Sequence, residues 1–203
     1  SSQLESKAMS QKYGKLVLII GPSGVGKSVI LNTLRTDYPE LHFPKSATTR
    51  ARREGESADL YHFVSDEEFD LLIEDNKVLE WAVVHGGARY GTLAQEIIPQ
   101  IENGQVVVRE VDVQGFDSIR SHPFFRGENA PYTLQSIFIL PESREQLIRH
   151  ITERAPIGDA ELKRRIASME RELSYADECD KQIENREGRL ADTINQVLAI
   201  LRS

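Results

Sequence analysis

The 203-residue chain contains one cysteine, Cys179, which excludes an internal disulfide framework and a zinc site built from cysteines, and it reads as a cytoplasmic protein. No apolar run approaches the roughly 20 residues that cross a membrane. The polar N-terminus also lacks a secretory apolar segment, so no membrane partner is expected. No Pro-, Gly- or Ser-rich linker divides the chain and no repeat or low-complexity run occurs, which leaves a single α/β domain with excursions. Positive charge is outnumbered, with 25 Lys and Arg against 32 Asp and Glu. A net charge of −7 argues against nucleic-acid binding, so any affinity for anions has to come from local clusters of Arg and Lys. A guanine-reading N-K-x-D loop is missing, which makes a regulatory GTPase a poor fit. Residues 1–10 carry no initiating Met at their start and read as a tag, a disordered segment or a processed end.

Against these absences stands one complete motif. Gly21-Pro22-Ser23-Gly24-Val25-Gly26-Lys27-Ser28 is a G-x-x-x-x-G-K-S loop placed directly after the apolar run Lys15–Ile20 and before the helical pattern Val29–Arg35. Backbone N–H groups can crowd around phosphate oxygens only where β-carbons do not obstruct them. The start of the following helix points its positive dipole end at the same anion. Lys27 is expected to reach the β- and γ-phosphates of a nucleoside triphosphate, and the Ser28 hydroxyl to ligate Mg²⁺.

Apolar strands alternate with helical patterns, which predicts a parallel sheet flanked by helices. Strands are expected over 15–20, 78–85, 105–113 and 133–140, and helices over 27–35, 67–75, 93–102, 144–154, 160–176 and 190–201. Ser65-Asp66-Glu67-Glu68 and Ser143-Arg144-Glu145-Gln146 both fit the capping box. Pro99 is expected to kink or shorten its helix. Two segments depart from the alternation. Residues 44–92 carry short strand signals, among them Leu60–Phe63 and a Gly86-Gly87 turn that folds 83–85 back on Arg89-Tyr90. Around 150–165, the break Ala155-Pro156-Ile157-Gly158-Asp159 separates two arginine-bearing helices and suggests a mobile lid.

The loop Ser46–Arg53 gathers Arg50, Arg52 and Arg53, whose planar forks suit bidentate capture of phosphate oxygens, and Tyr61 and Tyr90 offer phenolic donors. A solvated basic turn is the plainer reading of the same residues. The order Ser46-x-Thr48-Thr49-Arg50-x-x-Arg53-x-Gly55-Glu56, Tyr61–Ser65, Leu79-Glu80-Trp81-Ala82-x-x-His85-Gly86, Tyr90-Gly91-Thr92 and Glu110-Val111-Asp112-Val113-Gln114-Gly115 resembles the guanylate kinase family from Lys15 to the C-terminus. The resemblance implies a P-loop NTPase-type parallel sheet with a core of 11–43, 93–149 and 166–203, a monophosphate-binding excursion over 44–92 and a helical lid over 150–165. It implies transfer of the γ-phosphoryl group of Mg·ATP to GMP or dGMP by a monomer or homodimer. Arg50, Arg53, Tyr61 and Tyr90 match ligands of the GMP phosphate; Glu80 matches the carboxylate that reads guanine, with Ser46, Thr92 and Asp112 beside the base. Lys27, Arg50, Arg154 and Arg165 match the groups that act on the transferring phosphoryl, and Glu110 or Asp112 lies indirectly near the metal.

Rival readings are a catalytically silent interaction module of the same fold and a P-loop kinase for another small phosphate. This chain departs from the family pattern at four places: His150 for a lid arginine, Ala155 for a glycine, Glu110 for an aspartate, and a loop between Glu56 and Tyr61 one residue short.

Overall fold

A computed structural model describes residues 12–153 and 156–203. The N-terminal tag reading, Arg154 and Ala155 therefore lie outside the described residues. The chain divides into two compact units, one of residues up to Leu16 with His42–Val108 and Asp117–Leu134, the other of Val17–Leu41, Arg109–Phe116 and Gln135–Ser203.

One sheet has the order β6-β1-β7-β8, with β1 Lys15–Ile20, β6 Val106–Glu110, β7 Leu134–Pro141 and β8 Lys181–Asn185. β1 occupies an inner position, and Leu16 to Ile20 are wholly buried. A continuous apolar run is what a strand covered on both faces needs. β7 and β8 pair in parallel from Ile137↔Lys181 to Pro141↔Asn185. Between β1 and β6, Lys15 N–H donates to Gln105 and Val111 N–H to the carbonyl of Ile19, so the partners advance in the same sense. The expected α/β class with a parallel sheet and flanking helices is the observed one.

In the second unit, α1 (Lys27–Asp37) buries Ile30, Leu31 and Leu34, and α7 (Leu190–Leu201) buries Ile194, Val197, Leu198 and Leu201 at the i, i+3, i+4, i+7 spacing of an apolar helix stripe. These two helices pack together, and α5 (Arg144–Glu153) packs on α6 (Asp159–Leu173). Four differences from the sequence expectations have physical causes. The strand predicted to run to Val113 ends at Glu110, because the Asp112 carboxylate accepts from Gly115 N–H at 2.7 Å and starts helix α4, Val113–Ser121. Strand β8 went unpredicted, since it buries only Ile183 and shows no clean alternation. Helix α6 stops at Leu173 and tightens into a 3₁₀ turn over Ser174–Glu178. Before α5, Ser143 Oγ accepts from Gln146 N–H, but the Gln146 side chain accepts from Glu142 N–H, not from Ser143, so the capping box there is half formed.

In the first unit, a smaller sheet has the order β3-β2-β5-β4: Tyr61–Phe63, Ser46–Thr48, Arg89–Leu93 and Val78–Val83. β2 pairs parallel to β3 and antiparallel to β5, and β4 is antiparallel to β5. Helix α2, Asp66–Glu74, begins with the full capping box of Ser65 and Glu68. It ends with Asn76 in the left-handed region at φ 55°, where Asn76 N–H reaches Ile73 O and Lys77 N–H reaches Leu72 O. This is a Schellman closure. Phe69 of α2 packs with Ala47 and Leu93, flanked by Val64, Leu72, Ile73 and Val78. Helix α3, Ala94–Glu102, accommodates Pro99 without interruption and buries Ile97 and Ile101.

Candidate active site

The first set of candidate residues lies on the loop joining β1 to α1. Gly26 stands at φ 98° as the residue before the helix, and a β-carbon there would sit 2.6 Å from the Asn185 side-chain amide, so both conformation and space demand glycine. Asn185 Nδ2 donates to the Val25 carbonyl at 2.8 Å while Thr193 Oγ1 donates to Asn185 Oδ1 at 3.0 Å, which ties the end of β8 and the buried face of α7 to the loop. His150 Nδ1 donates to the Gly24 carbonyl at 3.2 Å. Neither bracing contact carries a motif that the sequence could show.

Lys27 donates to the carbonyls of Gly21 and, at 3.1 Å, Pro22, and its ammonium lies 4.0 Å from Glu110. Burial lowers its pKa, an effect that Glu110 and Glu172 oppose. Beside Gly24–Gly26 opens a cleft of ≈ 140 Å³ lined also by Leu147, His150, Asn185 and Arg186. Among the described residues no three His, Cys, Asp or Glu side chains cluster as a metal cage. The loop's Ser28 hydroxyl and the Glu110 carboxylate are hard oxygen donors, which suits Mg²⁺ completing its shell with phosphate oxygens and water.

The second set occupies the small sheet. The pairings Tyr61↔Ser46, Ser46↔Thr92 and Thr92↔Glu80 set four of the predicted residues in one row across all four strands. Directly paired residues share a face, as do residues two apart on a strand, so Thr48, Phe63 and Tyr90 join them. Phe69 covers the opposite face, meeting Trp81 ring to edge and approaching Gly91 so closely that a β-carbon there would be 2.9 Å from its Cζ. A bulge in β4 decides where Glu80 points. Val78 pairs with Leu93 and Glu80 with Thr92, two steps on one strand against one on the other. Val78 therefore faces the apolar cluster while Glu80, two residues later, faces the polar row. There the buried Thr92 hydroxyl donates to Glu80 Oε1 at 2.5 Å and orients the carboxylate.

Arg50 follows β2 and lies over the rings of Tyr61 and Phe63, 5.4 and 5.5 Å from their centroids, with Nε donating to Tyr90 Oη at 3.0 Å. Tyr61 and Tyr90 meet edge to face at 5.7 Å. Glu56, a position of the family pattern with no role implied above, is the hub of this loop. Its carboxylate takes both terminal nitrogens of Arg50, at 2.6 and 3.0 Å, and Arg53 N–H at 2.9 Å, and its carbonyl accepts from Arg52 Nε at 2.6 Å. The Arg50 hydrogen bonds, then that of Arg53, hold the Glu56 carboxyl down at about 2, and Glu56 and Tyr90 raise the pKa of Arg50. The Arg53 side chain is exposed.

Of the remaining predicted residues, Asp112 is exposed in the second unit as the cap of α4. Arg165 lies on the exposed side of α6 and pairs within its own helix, 3.5 Å from Glu161. Arg154 lies outside the described residues.

Known proteins resemble this chain along most of its length. A sequence model of the family described as guanylate kinase matches residues 13–203. Guanylate kinase of Streptomyces kasugaensis is 36% identical over 188 residues, 92% of this chain and 86% of that protein. That of Thermosynechococcus vestitus is 40% identical over 174 residues, 85% of this chain and 86% of its own. The crystal structure of guanylate kinase from Anaplasma phagocytophilum has the same fold, with a TM-score of 0.63 over 94% of this chain and 86% of that one at 24% identity. The glycine loop, the polar row on the small sheet and the sequence match from residue 13 to the last residue all lead to one assignment: the chain belongs to the guanylate kinase family.

Proposed function

We propose that the protein transfers the γ-phosphoryl group of Mg·ATP to GMP, giving ADP and GDP. The bond from the γ-phosphorus to the β,γ-bridging oxygen breaks, a bond to a GMP phosphate oxygen forms, and the leaving oxygen stays on ADP. No covalent enzyme intermediate is needed, so positioning and charge neutralisation supply the catalysis.

The observation that carries this reading is the row Tyr61–Ser46–Thr92–Glu80 with Arg50 and Tyr90 at its end. A carboxylate oriented by Thr92 suits the N1–H and exocyclic amino donors of guanine. Adenine offers neither at that edge and would leave Glu80 unpaired, a penalty that discriminates strongly. Arg50, Arg53, Tyr61 and Tyr90 would take the acceptor phosphate, and Ser46 and Asp112 would contribute at the base. Lys27 and the loop amides of Gly21–Ser28 would hold the donor phosphates. Ser28, with Glu110 or Asp112 behind it, would hold Mg²⁺, which would supply charge neutralisation at the donor phosphates. Arg154 and Arg165 would close on the transferring group from a lid over 150–165, and exclusion of water there favours transfer over hydrolysis. In this reading 44–92 is the acceptor segment, 11–43, 93–149 and 166–203 are the core, and dGMP is accepted like GMP. The protein works as a monomer or homodimer. Its single cysteine supports a cytoplasmic setting, and among the described residues no helix is long and apolar enough to cross a membrane.

The test is ADP formation from ATP in the presence of GMP, with AMP and CMP as alternative acceptors. GMP-dependent ADP release that AMP and CMP do not match is expected. Equal rates with all three, or none with GMP, would overturn the assignment.

A further inference from the structure

Three side chains of the second unit hold three consecutive residues of the glycine loop from outside. Val25 is held by Asn185 and Gly24 by His150, while Ser23 N–H donates to Glu172 Oε2 at 3.1 Å. The first two are an amide and an imidazole. The third is an anion in a loop whose purpose is to receive anions. Glu172 lies near the end of α6, half-buried, and its other oxygen accepts from Ser168 Oγ at 3.0 Å. Residues 165, 168 and 172 follow the i, i+3, i+7 spacing of one helix face, so Glu172 sits about 10 Å along the helix from Arg165 on the same side. Its field also reaches Lys27, which Glu110 flanks at 4.0 Å.

We propose that Glu172 is a resident anion of the donor site, a positioning residue that contends with the donor polyphosphate for the Ser23 N–H and for the charge of Lys27, and thereby weakens donor and product binding. The inference rests on the kinase reading above. Two like charges a few ångströms apart in a partly hydrated site repel appreciably, and a nucleotide brings several negative charges to the loop. While the loop is empty, the carboxylate satisfies a backbone donor and balances the lysine. When phosphate enters, the same carboxylate opposes it. Product that must leave after each turnover is then held less tightly than the loop alone would hold it.

The experiment is calorimetric titration of Mg·ADP, and separately of GMP, into the unmodified protein, Glu172→Gln and Ser168→Ala. Glutamine keeps an acceptor for Ser23 N–H and removes the charge, so the brace survives. Removing the Ser168 hydroxyl releases one oxygen of Glu172 and lets the carboxylate retreat. Glu172→Gln is expected to bind Mg·ADP about five-fold tighter and Ser168→Ala about two-fold tighter, from the size of the repulsion lost. Affinity for GMP should not change in either. A merely structural brace would leave Mg·ADP affinity unchanged or reduce it, and either result in a folded Glu172→Gln overturns the proposal. Should that variant not fold, unchanged Mg·ADP binding by Ser168→Ala overturns it. Absence of Mg·ADP binding by the unmodified protein would instead overturn the donor-site reading itself.

Discussion

In the loop Gly21–Ser28 the groups proposed to meet an anion are backbone N–H donors and one lysine, packed into eight consecutive residues between a buried strand and a helix. The small sheet works differently: its polar row draws one side chain from each of four strands, and a bulge and a loop carboxylate set where two of the key charges lie. A compact backbone site tolerates little change in spacing but depends on few side chains. A site distributed over strands depends on register, on the packing behind the sheet and on internal counter-ions.

The largest effect should come from the lysine. Lys27→Ala is expected to lower kcat/KM for phosphoryl transfer by about a thousand-fold, in line with the loss of a group that stabilises developing charge. GMP binding measured by calorimetry should remain; a parallel loss would mean that the two regions are not separable. The reciprocal break is Glu80→Ala, expected to weaken GMP binding by about a hundred-fold through lost charged hydrogen bonds while Mg·ATP affinity holds. Comparable losses for both nucleotides would remove the base-reading role.

Glu56→Gln sharpens the comparison, because it removes the counter-ion of Arg50 without touching the donor loop. GMP affinity should fall by about ten-fold, as Arg50 loses its fixed orientation. The pH dependence has a defined sign. The Glu56 carboxyl is depressed from 4.5 to about 2, so its contribution to stability is complete above the unfolded value and is lost as pH falls through the folded one. The difference in thermal midpoint between the unmodified protein and Glu56→Gln should therefore be level above about pH 5 and gone near pH 2. A difference that disappears already at pH 4 would contradict the pairing.

Packing behind the sheet gives the next effect. Gly91→Ala places a β-carbon 2.9 Å from Phe69 Cζ and 3.2 Å from the Glu80 carbonyl, and overpacking of this kind costs about 1–3 kcal/mol, measurable by urea unfolding. Smallest of all, Asn76→Gly at φ 55° should stabilise the first unit by about 0.5 kcal/mol or less, since glycine adopts that conformation freely but loses more entropy on folding.

The glycine loop and its flanking elements were legible in the chain because their signals are local. The motif, the apolar run of β1, the stripe of α7 and the cap at Ser65 each lie within a dozen residues and follow from sterics and periodicity alone. The residues proposed for the acceptor were legible only as a family pattern. Three-residue strands such as β2 and β3 are too short to show alternation, and nothing local marks a bulge that turns Glu80 away from Val78. Nor does periodicity reveal which carboxylate Arg50 will hold, or that Asn185, His150 and Glu172 will grip three neighbouring residues of one loop. By itself the sequence determined the residue types, the helices other than α4, the buried strands β1, β6 and β7, and the chemistry they can perform. Tertiary structure alone decided their pairings, because hydrogen bonds between residues tens to more than a hundred positions apart exist only once strand register and helix packing have brought them within about 3 Å.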